Sequence, residues 1–232
     1  MGTTLTWLGH AAFRLDTPAG TRLFVDPWLT GNPSCPEDER DPDRCDAVVV
    51  THGHGDHVGD AASLAARFHC PLVAQVELRA WLTRQGAPDA GMEHAVNKGG
   101  TVRVLDVEVT LTHAQHSSST PDGTYAGEAC GVVVRPDDGA SVYFAGDTNA
   151  FGDMALIGRV HRPDVAVLPI GDHFTMGPRE AAVAAELVGA ERVVPCHYGT
   201  FPILSGTPDA LRPLLPEGVT MLAPAPGEPL EL

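Results

Sequence analysis

Residues 46–60 read DAVVVTHGHGDHVGD: an apolar run, then three histidines and two aspartates interleaved with glycines. The run at 47–50 is short and rich in valine, which predicts a buried strand. The histidines begin at its carboxyl end, where α/β sheets present their ligand-binding loops. In the pattern H-x-H-x-D-H, His52, His54, Asp56 and His57 offer imidazole nitrogens and a carboxylate within six positions. That donor set suits Zn2+, Mn2+ or iron. Gly53 and Gly55 are expected to let the backbone turn tightly enough for the donors to meet. The competing reading, a histidine-rich surface loop, gives no reason for glycine at alternate positions directly after a buried strand.

On the amino-terminal side, TLTWLG, AAFRLD and TRLFVD are short β-type runs separated by turns, an antiparallel beginning. Residues 27–45, PWLTGNPSCPEDERDPDRC, are rich in Pro, Gly and acid and read as a long irregular loop bordering a site. On the carboxyl side, AASLAARF and VELRAWLTRQ read as helices flanking the strand PLVAQ. The runs TVRVLD, VEVTLTHA, CGVVVRP and SVYFAG then return to strands. A helix at 152–160, a buried strand in PDVAVLPI, an amphipathic helix in PREAAVAAELV with Pro178 in its first turn, and a strand in RVVPCHY complete the series. Strand-rich and helix-covered stretches in both halves predict an α/β fold of two sheets face to face with helices outside. A length of 232 residues fits one domain spanning 1–232.

Composition narrows the chemistry. With 43% hydrophobic and 19% charged residues the chain has the makings of a large core, and no apolar stretch approaches the roughly 20 residues of a membrane span. The opening MGTTLTWLGH lacks the basic start and apolar core of a signal peptide, so a cytoplasmic protein with no membrane partner is expected. Thirty acidic residues against 15 basic ones give a formal charge of −15, and Lys98 is the only lysine. Such a field repels a phosphate backbone, so no nucleic-acid partner is expected. Bound cations would offset the field locally and leave room for a small anionic substrate. A homo-oligomer is compatible with the composition. The five cysteines are odd in number and form no C-x-x-C pair, which argues against a disulfide framework and a thiolate zinc site. The exception is Cys35 with Cys45, which flank the acidic loop and could pair.

One motif does not complete a site. Three further donors each follow an apolar strand and precede small or polar residues: His116 in AQHSSS, Asp147 in FAGDTN and His197 in VVPCHYGT. Distance along the chain does not prevent convergence at strand ends. His113 is the alternative to His116.

With these residues assembled, the chain resembles the metallo-β-lactamase superfamily, whose pattern is H-x-H-x-D-H followed by a distant His, an Asp and a His. The strings WLGHAAF, DPWLTGNP, NKGG, AGDT, PIGDHFTMGP and VVPCHYGTFP resemble its small UPF0173 metal-dependent hydrolase branch, related to ascorbate-6-phosphate lactonase-like proteins. The likeness runs from Thr6 to about Pro202; Cys35 and Cys45 are not part of it. It implies a four-layer αββα sandwich with a dinuclear centre of divalent cations, Zn2+ first, Mn2+ next and iron compatible. It further implies that His52, His54 and His116 hold one cation, that Asp56, His57 and His197 hold the second, and that Asp147 bridges; His116 is preferred over His113 because the pattern places serines after it. Two dications outweigh two carboxylates, so a bridging water would ionise near neutral pH and attack a small ester, lactone or phosphodiester.

Asp56 is counted among the catalytic groups as well as the ligands. Asp172 and His173, after a buried strand, are expected as an outer carboxylate or a leaving-group acid, against the alternative of a capped turn. Asp26 either orients a ligand histidine or starts the turn before Pro27. His10 either approaches the site or satisfies a backbone group. His94 and Asn97 either reach substrate or belong to a solvated loop; His69 and His161 read as structural or exposed. Trp7, Trp28 and Trp81 read as packing rather than a stacking platform. Competing functions are a nucleic-acid phosphodiesterase of the same superfamily, a di-iron redox protein, and a non-catalytic metal or metabolite scaffold. The redox reading expects a glutamate in place of His54 and a flavin domain, and neither is found.

Overall fold

A computed structural model describes residues 2–232. The amino-terminal runs form an antiparallel meander, β1 (Thr4–Trp7), β2 (Phe13–Asp16) and β3 (Arg22–Val25), and β4 (Ala47–Val49) adds parallel to β3. A one-turn helix α1 (Gly55–Val58), α2 (Ala61–Phe68), β5 (Leu72–Gln75), α3 (Val76–Arg84) and the two-residue β6 (Ala95–Val96) follow. The second sheet begins with the antiparallel β7 (Thr101–Val104), β8 (Val107–His113), β9 (Cys130–Pro136) and β10 (Val142–Phe144). It continues in parallel through α4 (Met154–His161), β11 (Val165–Pro169), α5 (Pro178–Val188), β12 (Arg192–Cys196), α6 (Pro208–Leu211) and β13 (Thr220–Met221). A last strand, β14 (Pro229–Glu231), returns to pair with β1. The result is two seven-stranded mixed sheets, ordered β14-β1-β2-β3-β4-β5-β6 and β13-β12-β11-β10-β9-β8-β7.

Side-chain alternation along the strands sorts the apolar residues into three layers. Trp7, Phe13, Leu23 and Val49 of the first sheet face Leu111, Val132, Phe144 and Val194 of the second in a dry layer between them. The other face of the first sheet, with Phe24, Val48 and Leu72, packs on Leu64, Leu78 and Leu82 of α2 and α3. The other face of the second, with Tyr143, Ala166 and Val193, packs on Met154, Ile157 and Ala185 of α4 and α5. This is the four-layer αββα sandwich, and it explains why residues 47–50 are apolar without alternation: both faces are covered. Each such large side chain contributes about 1.5–3 kcal/mol on burial.

The long loop after β3 contains only one turn of 3-10 helix, Glu37–Glu39. It is nonetheless folded firmly against the first sheet. Asn32 Nδ2 donates to the carbonyls of Gly9 (3.2 Å) and Trp28 (3.0 Å), and the Asp60 carboxylate accepts from the amides of Leu29 and Thr30, both at 2.8 Å. Gly59 permits this closeness, since a Cβ there would stand 2.5 Å from Trp28 Cα. The end of the opening motif thus serves the fold rather than the site. All five cysteines are free thiols, and Cys45 faces Cys70, with sulfurs 3.6 Å apart, rather than Cys35. The Cys35–Cys45 pairing that the sequence left open is not formed: both lie in the layer beneath α2, and the start of β4 directs Cys45 toward the segment entering β5. Among the described residues no helix is long and apolar enough to cross a membrane.

Candidate metal centre

Strands β1, β4, β8, β10 and β12 run in the same sense within their sheets, and the loops leaving their carboxyl ends deliver His10, the 52–57 segment, His116, Asp147 and His197. Two groups of donors result. In one, single atoms of His52, His54, His116 and Asp147 lie within 4.8 Å of each other; in the other, atoms of His10, Asp56, His57 and His197 do. All seven residues carried over from the superfamily pattern are thus brought together, and one more, His10, joins them.

The Asp147 carboxylate stands between the groups. Its Oδ2 is 3.1 Å from His197 Nε2, 3.5 Å from His116 Nε2 and 4.0 Å from His52 Nε2, while Oδ1 is 3.3 Å from His57 Nε2. Gly146, at φ +63, brings Asp147 there, because a Cβ at that position would meet the Cys130 carbonyl at 2.5 Å. His54 caps the one-turn helix that carries Asp56 and His57. Neither Gly53 nor Gly55 is among the positive-φ glycines. What Gly53 supplies is room, since its Cβ would press at 3.1 Å on the backbone of Ser119, and its amide donates to Ser118 Oγ at 3.2 Å.

Hydrogen bonds fix which nitrogen His52 and His57 point inward. Asp26 accepts from the Thr51 amide (2.8 Å), the Thr51 hydroxyl (2.7 Å) and His57 Nδ1 (2.8 Å). With its proton given to Asp26, the Thr51 hydroxyl accepts from His52 Nδ1 at 3.0 Å. Both imidazoles therefore turn Nε2 toward the centre. Both readings of Asp26 have a counterpart here: its carboxylate orients His57 of the donor cluster, and its carbonyl accepts from the Trp28 amide at 2.8 Å in the turn around Pro27. His54 turns Nδ1 toward His52 Nε2, 3.1 Å away, and its Nε2 lies 3.4 Å from Ser117 Oγ.

Burial holds the pKa values of His52, His54 and His116 below the ordinary imidazole range, with neighbouring imidazoles adding to the effect. For His57 burial acts in the same direction, but Asp147 and Asp26 outweigh it and raise the value. Burial would raise Asp147, and the nearby His57 and His197 instead hold it well below the carboxylate range.

These residues fit divalent cations. His57 Nε2, Asp147 Oδ1 and both ring nitrogens of His197 are buried without a hydrogen-bond partner, a costly arrangement unless another group satisfies them. Two nitrogens bound tetrahedrally to one zinc stand about 3.3 Å apart. The separations of 3.1 Å between His52 and His54 and of 3.3 Å between His57 and Asp147 are close to that value. Donors are imidazole and carboxylate throughout, as such ions require.

Other candidates fall elsewhere. His113 is exposed, with Nδ1 3.0 Å from Lys98 Nζ. Asp172 and His173 do not enter the cluster, a correction to the expectation for both: they are exposed and sit in consecutive left-handed conformations, φ 63 and 55. Asp172 instead caps its own turn, accepting from the His173 amide at 2.9 Å and from Ser205 Oγ at 3.3 Å. Asn97 is occupied by Gln75 Nε2 at 2.8 Å, and His94 is half-buried with no bond to the cluster. His69 ends α2 in the left-handed region, and His161 gives its carbonyl to Arg135. Trp7 stacks on Tyr198, Trp81 donates to Asp122, and Trp28 stands edge-on to His10 at 5.4 Å and stacks on Phe201. Thr51, Ser117, Ser118 and Thr200 carried no signal beyond adjacency to a donor.

The sequence matches the family described as β-lactamase superfamily domain over residues 21–198. It is 48% identical over 214 residues to a UPF0173 metal-dependent hydrolase of Koribacter versatilis, with 91% of each chain covered. A UPF0173 metal-dependent hydrolase of Herpetosiphon aurantiacus is 46% identical, with 97% of this chain and 96% of the other covered. Among solved structures, the metallo hydrolase Igni18 of Ignicoccus hospitalis superposes with a TM-score of 0.85 at 33% identity, covering 99% of this chain and 98% of that one.

Proposed function

Because the chain belongs to the β-lactamase superfamily and to its UPF0173 metal-dependent hydrolases, we propose that it hydrolyses a small ester, lactone or phosphodiester with the aid of two divalent cations. In this reading His52, His54 and His116 hold one cation, Asp56, His57 and His197 hold the other, and Asp147 serves both. The observation that carries it is the Asp147 carboxylate, buried between two sets of imidazoles with Oδ1 unpaired. When bound, the cations supply Lewis acidity that ionises water near neutral pH and polarises the bond under attack.

The protein's own part is placement. Asp26 and Thr51 hold His57 and His52 with Nε2 inward, so these two side chains are already oriented for a cation. Burial favours the neutral imidazoles of His52, His54 and His116, the form that donates lone pairs. The net charge of −15 favours a small substrate, anionic ones included, over a polynucleotide, since the cations offset the field only locally. Zn2+ is the first choice of metal and Mn2+ the second.

The test is metal analysis of purified protein followed by a panel of p-nitrophenyl esters, phosphodiesters, lactones and RNA under the best metal. We expect turnover of a small substrate and none of RNA. His54→Ala should lose bound metal and at least roughly 100-fold in activity, the upper end of what loss of an outer partner costs. Normal metal content in that variant, or turnover confined to RNA, would contradict the proposal.

A further inference from the structure

The structure assigns to His10 a task outside the superfamily's seven-residue pattern: we propose that it is a positioning residue that holds the Asp56 carboxylate for the second cation. The inference rests on the two-cation reading above. His10 leaves β1 in the left-handed region, φ 54, and its side chain is fully buried. Its backbone is pinned from both sheets. The carbonyl accepts from Trp7 Nε1 and from the His197 amide, each at 2.9 Å. Its ring lies 3.9 Å from the His197 ring, with Trp28 and Phe201 each edge-on at 5.4 Å.

Both ring nitrogens meet side chains. Nε2 is 2.9 Å from Asp56 Oδ2, and Nδ1 is 3.0 Å from Thr200 Oγ1. An ionised carboxylate only accepts, so Nε2 carries the proton, and Nδ1 accepts from the Thr200 hydroxyl. Ser34 Oγ extends the chain of hydroxyls, 3.4 Å beyond Thr200. Asp56 makes no other side-chain hydrogen bond among the described residues; the next group, His197 Nε2, stands 4.0 Å from the same oxygen.

Position among the donors separates this role from direct ligation. His57 Nε2 and His197 Nε2 are buried without hydrogen-bond partners, whereas each nitrogen of His10 already has one. A histidine that merely filled space would satisfy itself on backbone or water. This one bridges a hydroxyl of the loop after β12 to a carboxylate of α1. Removing the bond frees Asp56 to rotate, and the cation it would bind loses a fixed oxygen while the other group keeps all its donors.

The experiment loads the unaltered protein, His10→Gln, His10→Phe and Thr200→Val with Co2+. It then counts metal per chain during titration with a chelator and records the visible spectrum and circular dichroism. Phenylalanine keeps the ring and its burial but has no donor; glutamine keeps an N–H. We expect two cations in the unaltered protein. In His10→Phe one should bind as before and the other about 10–100-fold more weakly, as for loss of an outer partner. His10→Gln should lie within a few-fold of the unaltered protein. Thr200→Val, altered at a half-buried loop position, should weaken the same cation modestly and serves if His10→Phe fails to fold. Equal binding of both cations by His10→Phe, or by Thr200→Val where that variant has to stand in, would overturn the assignment and leave the two-cation reading intact. Loss in His10→Gln as complete as in His10→Phe would also overturn it, in favour of ligation by the imidazole itself. Fewer than two cations in the unaltered protein would overturn the reading beneath it.

Discussion

Asp26 shows how much of the site depends on a residue that touches no reacting atom. One carboxylate accepts three hydrogen bonds and fixes two imidazoles, from a backbone position at φ 47 that costs energy to hold. Asp26→Ala would leave the Thr51 amide and His57 Nδ1 unpaired in a buried place. We predict a roughly 10–100-fold loss of metal affinity, measured by chelator competition, and a loss of about 1–3 kcal/mol in stability, measured by urea unfolding. Unchanged affinity would sink the orienting role. At this scale the motif His52-x-His54-x-Asp56-His57 was legible because its spacing is dense, and His116, Asp147 and His197 because each follows an apolar strand. Asp172 and His173 met the same criterion and fail it in three dimensions. A strand end locates a residue but does not aim it, and two successive left-handed residues turn these side chains outward. His10 and Asp26 stayed open for the same reason: their importance lies in partners that are distant in sequence.

Among the elements, α5 matches PREAAVAAELV from Pro178 to Val188, and α2 matches AASLAARF from Ala61 to Phe68. Pro178 in the first turn marks the start of α5 in the sequence itself, and in the structure a left-handed Gly189 ends it. The short pieces α1, β6, α6, β13 and β14 escaped, because they lack the apolar β-type run that marked the equally short β1 to β4, and their existence depends on the neighbour they pair with. Helix crossings were equally invisible. Gly158 in α4 lies so close to α5 that a Cβ would come 2.1 Å from the Val188 carbonyl. Gly158→Ala gains roughly 1 kcal/mol of helix propensity but must push two packed helices apart. We predict a net destabilisation of about 1–3 kcal/mol by urea unfolding, with metal content unchanged. A more stable variant would show that the crossing is slack.

At the scale of the whole molecule, the two sheets are joined at both rims, by polar groups in each case. The metal-binding rim has Asp147 between its donor groups; away from it, Asp106 in the β7–β8 turn accepts from the hydroxyls of Thr17 and Thr21 at the β2–β3 turn. Burial would raise the Asp106 pKa, but those two hydroxyls, together with a backbone hydrogen bond and Arg103, hold it below the ordinary value. A depressed carboxylate stabilises the fold above its unfolded pKa, about 3.9, and that contribution fades as pH falls through the folded value. Asp106→Asn should therefore be less stable than the unaltered protein at neutral pH, with the gap closing below roughly pH 4; a gap independent of pH would exclude this origin. Facing sheets with helices outside, and donors of both halves meeting at one rim, were readable from the sequence, whereas the joining of the opposite rim through Asp106 was not, since it depends on register between sheets.

The central claim is that His52, His54, His116, Asp147, Asp56, His57 and His197 form one pocket for two cations. Anomalous diffraction from crystals of the Zn2+-loaded protein tests it most directly. The account predicts two peaks, one within about 2.0–2.3 Å of donors from His52, His54 and His116 and one equally close to Asp56, His57 and His197, with Asp147 reaching both. Peaks only elsewhere on the molecule, or a single peak with the second group of donors bare, would contradict it.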